Sequence, residues 1–164
     1  GKPFFAVFNS TISHESSIHK SSPNEDLRHS PEEVTLPPYH PDTPEMRHDW
    51  AQYYDKVEDM DKKIGEILQE LEESGEAENT IVFYYGDHGG VLARSKRYVY
   101  ETGTRVPFIV RIPEKYKHLF PSEKPGDKVD RMISFVDLFP TLLSIIGTDI
   151  PDYLQGKALF RVFI

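Results

Sequence analysis

The 164-residue chain contains no cysteine. Disulfides, a thiolate nucleophile and Cys-ligated zinc are therefore excluded within it. Long apolar runs are also missing. No stretch reaches the roughly 18 consecutive apolar residues that a spanning helix needs, so no membrane span is expected. A basic surplus is lacking as well. Lys and Arg number 19 against 27 Asp and Glu, for a net charge of −8. A general nucleic-acid binder replaces counterions with a basic surface, so no nucleic-acid partner is expected. There is no Gly-x-Ser-x-Gly elbow and no phosphate-cradling glycine loop. His14 and His19 are spaced one residue too far apart to share a helix face as a zincin pair.

What is present suits a globular chain. Apolar residues make up 38% and aromatics 12%, and the length fits one domain with a core of its own. Gly1-Lys2-Pro3 runs straight into Phe4-Phe5-Ala6-Val7-Phe8. A continuous apolar run of this kind predicts a strand buried on both faces. A natural chain rarely starts inside such a strand, so an excised piece of a longer protein is expected, with any targeting signal lost. Residues 20–44 carry Pro23, Pro31, Pro37, Pro38, Pro41 and Pro44. They predict an irregular excursion of the length that is usually functional or mobile.

Thr43-Pro44-Glu45 is a helix-start signal: a hydroxyl cap, proline at the first helical position, and an acid at the positive end of the dipole. Trp50, Tyr53, Tyr54, Val57, Met60, Ile64, Ile67, Leu68 and Leu71 follow at spacings of three and four. They predict one long amphipathic helix that stops at Ser74-Gly75. Asp61 falls inside the apolar stripe and is expected as a partly buried carboxylate with a structural partner. Thr80–Tyr85 and Val106–Ile112 read as strands, and Asp137 reads as the cap of a short helix, Leu138 to Ile146, stopped by Gly147. Strand, long helix, strand predicts an α/β fold with a largely parallel, mixed sheet flanked by helices.

Two stretches could carry chemistry. Gly86-Asp87-His88-Gly89-Gly90 follows a strand, and in open α/β sheets ligands sit off the carboxyl ends of strands. A carboxylate beside an imidazole can face a metal there, and a plain turn is the competing reading. From Arg94 to Arg111 there are five cations and one acid, Glu101. Such a cluster suits an anionic substrate, or it is a solvated basic loop.

Five blocks then point to one family. They are the opening strand with His14, the helix block Val57-Glu58-Asp59-Met60-Asp61-Lys62-Lys63-Ile64-Gly65, and Asn79-Thr80-Ile81-Val82-Phe83 leading to Gly86-Asp87-His88-Gly89. Next come Lys96 through Val110, containing Tyr100-Glu101-Thr102-Gly103-Thr104-Arg105-Val106-Pro107, and then Asp137-Leu138-Phe139-Pro140-Thr141-Leu142-Leu143 followed by Gly156-Lys157-Ala158-Leu159. In this order they resemble the C-terminal half of the catalytic domain of type I sulfatases, in the alkaline-phosphatase-like superfamily. The pattern is similar to that of polysaccharide-degrading and sulfamidase-like members.

The resemblance implies that residues 1–164 are the C-terminal part of a partial, alkaline-phosphatase-like sulfatase domain, with 20–44 as a proline-rich active-site loop. It implies that Asp87 and His88 bind a divalent metal, most often calcium in sulfatases. His88 stands where many members have Asn, and the Asp-His form also occurs in phosphodiesterases and phosphonate monoester hydrolases that use other divalent ions. It further implies that Lys96 and His14 are catalytic and hold the sulfate, with His88 and Arg94 also contacting substrate. The family usually shows Pro-His where this chain has Ser13-His14. The formylglycine nucleophile comes from a Cys/Ser-x-Pro-x-Arg motif that this chain lacks; in the family it lies upstream. The substrate implied is a sulfated carbohydrate or small sulfate ester, cleaved at an O- or N-sulfate, and the implied location is periplasmic or secreted. The chain alone is expected to be inactive. Alternatives are phosphoryl-transfer chemistry in the same superfamily, or a non-catalytic relative acting as a binding module.

Overall fold

The computed structural model describes residues 2–121 and 124–159. Helix α1 spans Pro44–Glu73. Its start follows the sequence signal: the Thr43 hydroxyl accepts from the Met46 amide at 3.3 Å, and Pro44 takes the first turn. It stops at Ser74, with Gly75 in the left-handed region at φ 74°. Strand β1 (Val82–Tyr85) and strand β2 (Phe108–Arg111) form a two-stranded sheet, joined through a short helix α2 at Glu101–Thr104. Helix α3 covers Leu138–Ile145 and ends before Gly147, at φ 71°.

The mix of helix and strand agrees with an α/β class. The two described strands, however, pair antiparallel. The Gly86 amide continues the ladder onto the Pro107 carbonyl at 3.3 Å. No parallel neighbour of β1 occurs among the described residues. The segment 3–8, expected as a buried strand, has no regular secondary structure and belongs to no ladder, and Phe5 is 75% exposed. An apolar run becomes a buried strand only when neighbours pair its amides and cover its side chains; the described residues supply neither.

The chain divides into two compact units. One contains the residues up to Ser74 together with Tyr84–Ile109; the other contains Gly75–Phe83 and the residues from Val110 on. In the first, α1 is the organising element. Ala51, Gln52 and Asp55 form its buried face, and Trp50 packs its ring against Tyr53 and Tyr54, with centroids 6.1 and 5.4 Å apart. The expected buried carboxylate is Asp55, not Asp61, which is exposed. From Lys62 on, α1 offers mostly exposed side chains, so the far end of the apolar stripe is not covered within this unit.

The excursion at 20–44 is irregular, with one 3₁₀ turn at Asn24–Asp26. It is fixed to α1 by polar pegs. Gln52, 2% exposed, accepts from the Ser22 amide at 3.0 Å and donates to the Lys20 carbonyl at 2.8 Å. The Asp55 carboxylate accepts from the amides of Arg28 (2.9 Å) and His29 (3.1 Å) and pairs with the His29 ring at 2.7 Å. Farther on, the Trp50 indole donates to His40 Nδ1 at 3.0 Å, and His40 Nε2 donates to the Ala93 carbonyl at 2.8 Å. A loop without a ladder of its own must find partners for its backbone elsewhere, and here helix side chains supply them.

In the second unit, Arg111 donates to the Ala77 carbonyl at 2.7 Å and pairs with Glu78 at 2.9 Å. Asp137 does not cap α3 with its side chain. Its carboxylate accepts from the Ser134 amide at 2.9 Å and the Lys157 amide at 2.8 Å, joining the turn before α3 to the residues after it. Those two amides lead in holding its carboxyl below the usual carboxylate range.

Candidate active site

The candidate residues His14, Asp87, His88, Arg94 and Lys96 all lie in the first unit. Strand β1 ends at Tyr85 and delivers Asp87 and His88 to a bend beyond its carboxyl end. The chain then loops through 90–100, closed by the Lys96 amide on the Gly90 carbonyl and the Gly89 amide on the Gly103 carbonyl, each 2.9 Å. Both glycines are required by close approach. A Cβ on Gly89 would run into the Thr102 carbonyl, and one on Gly103 into the carbonyls of Ser95 and Tyr98.

His14 and Lys96 are 82 positions apart in the chain, and the fold sets Lys96 Nζ 2.9 Å from His14 Nε2. An ammonium can only donate, so Nε2 is the bare nitrogen and the ring proton sits on Nδ1, which donates to Ser16 Oγ at 2.9 Å. The other tautomer would have Nδ1 accept the Ser16 amide, at the longer distance of 3.3 Å, and would set a ring proton against the ammonium. Glu15 completes the group. Its carboxylate lies 3.5 Å from Lys96 Nζ and 2.6 Å from the Arg97 guanidinium. Desolvation acts to raise the Glu15 carboxyl, but Arg97 and Lys96 outweigh it and hold the group below its ordinary range.

The metal assignment can be tested on the donors themselves. The Asp87 carboxylate is 87% exposed, and its recorded neighbour is His88 Nε2 at 3.7 Å. His88 Nδ1 donates to the Gly89 carbonyl at 2.7 Å, which leaves Nε2 bare on the side of Asp87. A histidine oriented through its second nitrogen is the arrangement that metal-binding imidazoles use. Asp87 and His88 therefore fit as two donors of a cation site. Calcium takes six to eight oxygens, so the remainder of such a shell would come from elsewhere. The described residues hold one other group of suitable spacing, His29, Asp55 and Glu58. There the Asp55 oxygens already accept two amides and a ring nitrogen, and Arg28 occupies a Glu58 oxygen at 2.9 Å. That group is an anchor for the excursion.

Arg94 is exposed, and its guanidinium carbon lies over two rings, 4.9 Å from the Tyr39 centroid and 4.4 Å from that of Tyr100. Of the residues singled out in sequence, the fold brings His14 and Lys96 into contact and sets Arg94 against Tyr39 and Tyr100; Glu15 and Tyr39 were not among those candidates. Glu15 adjoins His14 in sequence, yet nothing local indicates that two cations from residues 96–97 return to it.

Lys96 and His14 are thus in contact, and Asp87 and His88 share the bend beyond the end of β1. A family model described as Sulfatase matches residues 1–148. The chain belongs to the sulfatase family. It is 36% identical to an ulvan-active sulfatase of Formosa agariphila, over 96% of this chain and 31% of that protein. It is 32% identical to the human N-sulphoglucosamine sulphohydrolase, over 76% of this chain and 24% of the relative. An N-acetylglucosamine-6-O-sulfatase of Bacteroides thetaiotaomicron is 35% identical over 61% of the chain and 17% of that protein. The chain thus spans about a third or less of these relatives' lengths.

Proposed function

We propose that these residues are the sulfate-recognising, C-terminal part of the catalytic domain of a sulfuric ester hydrolase acting on sulfated glycans. The observation that carries the reading is the Lys96–His14 pair, closed at 2.9 Å across 82 residues. The relatives named for ulvan, N-sulphoglucosamine and N-acetylglucosamine 6-sulfate favour a sulfated sugar over a phosphoester. In the complete domain β1 would sit in a larger, mainly parallel sheet, and the exposed Phe4, Phe5 and Phe8 agree with neighbours supplied by other residues. A periplasmic or secreted location is part of the same proposal.

The chemistry follows from charge. Hydrolysis transfers the sulfuryl group to an oxygen nucleophile that these residues do not supply; as that bond to sulfur forms, the bond from sulfur to the leaving oxygen or nitrogen breaks, and the leaving atom keeps the electron pair and must gain a proton. Lys96 stabilises negative charge on the sulfuryl group, where a preorganised cation in a sheltered site is most effective. Sulfate oxygens would compete with His14 for the Lys96 ammonium. Freed from that donor, His14 Nε2 can carry the proton that the leaving atom takes up. A divalent ion, when bound by Asp87 and His88, would polarise the sulfuryl oxygens as a Lewis acid. In the complete enzyme, Lys96→Ala should lower kcat/KM for a sulfated monosaccharide by about 10²–10³-fold, the usual loss on removing one charge-stabilising donor. Unchanged turnover in Lys96→Ala would refute the assignment.

A further inference from the structure

Of the five cations between Arg94 and Arg111, four have a carboxylate within the described residues. Lys96 and Arg97 share Glu15, Arg105 pairs with Glu101 at 2.8 Å, and Arg111 pairs with Glu78. Arg94 has no carboxylate partner there. Instead its guanidinium carbon lies over the rings of Tyr39 and Tyr100, contacts that engage none of its N–H donors. Tyr100 in turn stacks on Tyr98, with centroids 6.0 Å apart and planes at 20°. Tyr98 and Tyr100 are 54% and 47% exposed, and Val99 between them is 94% exposed.

This surface is built. Arg94 and Arg97 both adopt left-handed backbone angles, φ 66° and 72°, which side chains other than glycine rarely take. Strain of this kind persists where surrounding contacts enforce it, and it concentrates at ligand sites. The contacts are present: Thr102 Oγ1 donates to the Arg94 carbonyl at 2.5 Å, and the Tyr98 amide donates to the Ser95 carbonyl at 3.1 Å. The segment therefore presents two stacked phenols and one carboxylate-free arginine, two to four residues from Lys96.

We infer that Tyr98, Tyr100 and Arg94 form a sugar subsite next to the sulfate site, which receives a neighbouring ring of an anionic oligosaccharide. The inference rests on the sulfatase reading and extends it. The exposed parts of the Tyr98 and Tyr100 rings offer amphipathic contact area with few rotors to immobilise, and Arg94 takes a carboxylate or second sulfate on that ring through a bidentate pair. The substrate class is then a chain bearing acidic groups on consecutive sugars, not an isolated sulfated monosaccharide.

The test compares the affinity of the full 164-residue chain for a heparin-derived tetrasaccharide with that for glucosamine 6-sulfate, by calorimetry. The tetrasaccharide is expected to bind about tenfold more tightly, the factor that one ring contact and one exposed charge pair together typically supply. Tyr98→Ala, Tyr100→Ala and Arg94→Gln should each bring that ratio toward one, while Tyr100→Phe should keep it. Trp50 fluorescence checks that each variant remains folded. A ratio near one in the parent chain, or a ratio unchanged in the folded alanine variants, overturns the subsite. Lys96→Gln is a separate readout: unchanged affinity for glucosamine 6-sulfate there counts against the sulfate site itself.

Discussion

Gly103 sits where the backbone of the 94–104 loop folds back on itself, close to the carbonyls of Ser95 and Tyr98. The same turn brings the Gly89 amide onto the Gly103 carbonyl, so one glycine ties the Asp87–His88 bend to the loop bearing Lys96. Gly103→Ala forces a methyl group into two carbonyl oxygens. It should destabilise the chain by about 1–3 kcal/mol, the usual range for overpacking, read as a lower urea midpoint. An unchanged midpoint would mean that the loop can shift without cost. The tight 94–104 loop could be suspected from Thr102-Gly103-Thr104, but its contact with Gly89 could not. Glu15 was illegible for a related reason: its partners, Lys96 and Arg97, are more than 80 residues away and become neighbours only in the fold.

Helix α1 illustrates how much one element reveals in sequence. Its cap, proline start and glycine stop were all readable, because each depends on neighbours within a few residues. Its burial was not. The apolar stripe pointed to Asp61 as the half-buried acid, whereas the excursion covers the face carrying Gln52 and Asp55. Burial by itself would raise the Asp55 carboxyl. The Arg28 amide, the His29 ring and amide and the Arg28 charge overcome this and hold it below its ordinary range. A carboxyl lowered by folding stabilises the native state above its unfolded pKa, and the contribution is lost as pH falls through the folded value. The part of the stability due to Asp55 should therefore be constant from neutrality to about pH 5 and decline below about pH 4. Asp55→Asn should cost about 1–3 kcal/mol at pH 7 through the hydrogen bonds it weakens, with the difference from the parent shrinking in acid. Urea unfolding of both proteins across pH 3–7 checks this; a difference that stays constant into acid would rule out the carboxylate as its source.

At the scale of the whole molecule, much apolar surface is left uncovered. Phe4, Phe5, Val7 and Phe8 are exposed, as is Met132 at 98%, while the relatives are about three times longer than the matched region or more. The 164 residues contain no cysteine and no Cys/Ser-x-Pro-x-Arg segment. By itself the chain should release no detectable sulfate from an aryl sulfate. On the proposed assignment of Asp87 and His88 as its two donors, it should bind calcium only weakly. Robust turnover by the 164-residue chain would show that the nucleophile lies within it and would overturn the division of labour proposed above.

The helix ends, the two short strands, the separation of an acidic helix from a cationic loop, and the family were legible before any fold was known, because these depend on local spacing and ordered motifs. The pairing direction of β1 and β2, the choice of Asp55 over Asp61, the contact of His14 with Lys96 and the contacts of Arg94 with the Tyr39 and Tyr100 rings came only with the tertiary fold. Each joins residues distant in the chain, and which ones meet depends on how the loops close around α1 and the end of β1, information that no local pattern of side chains carries.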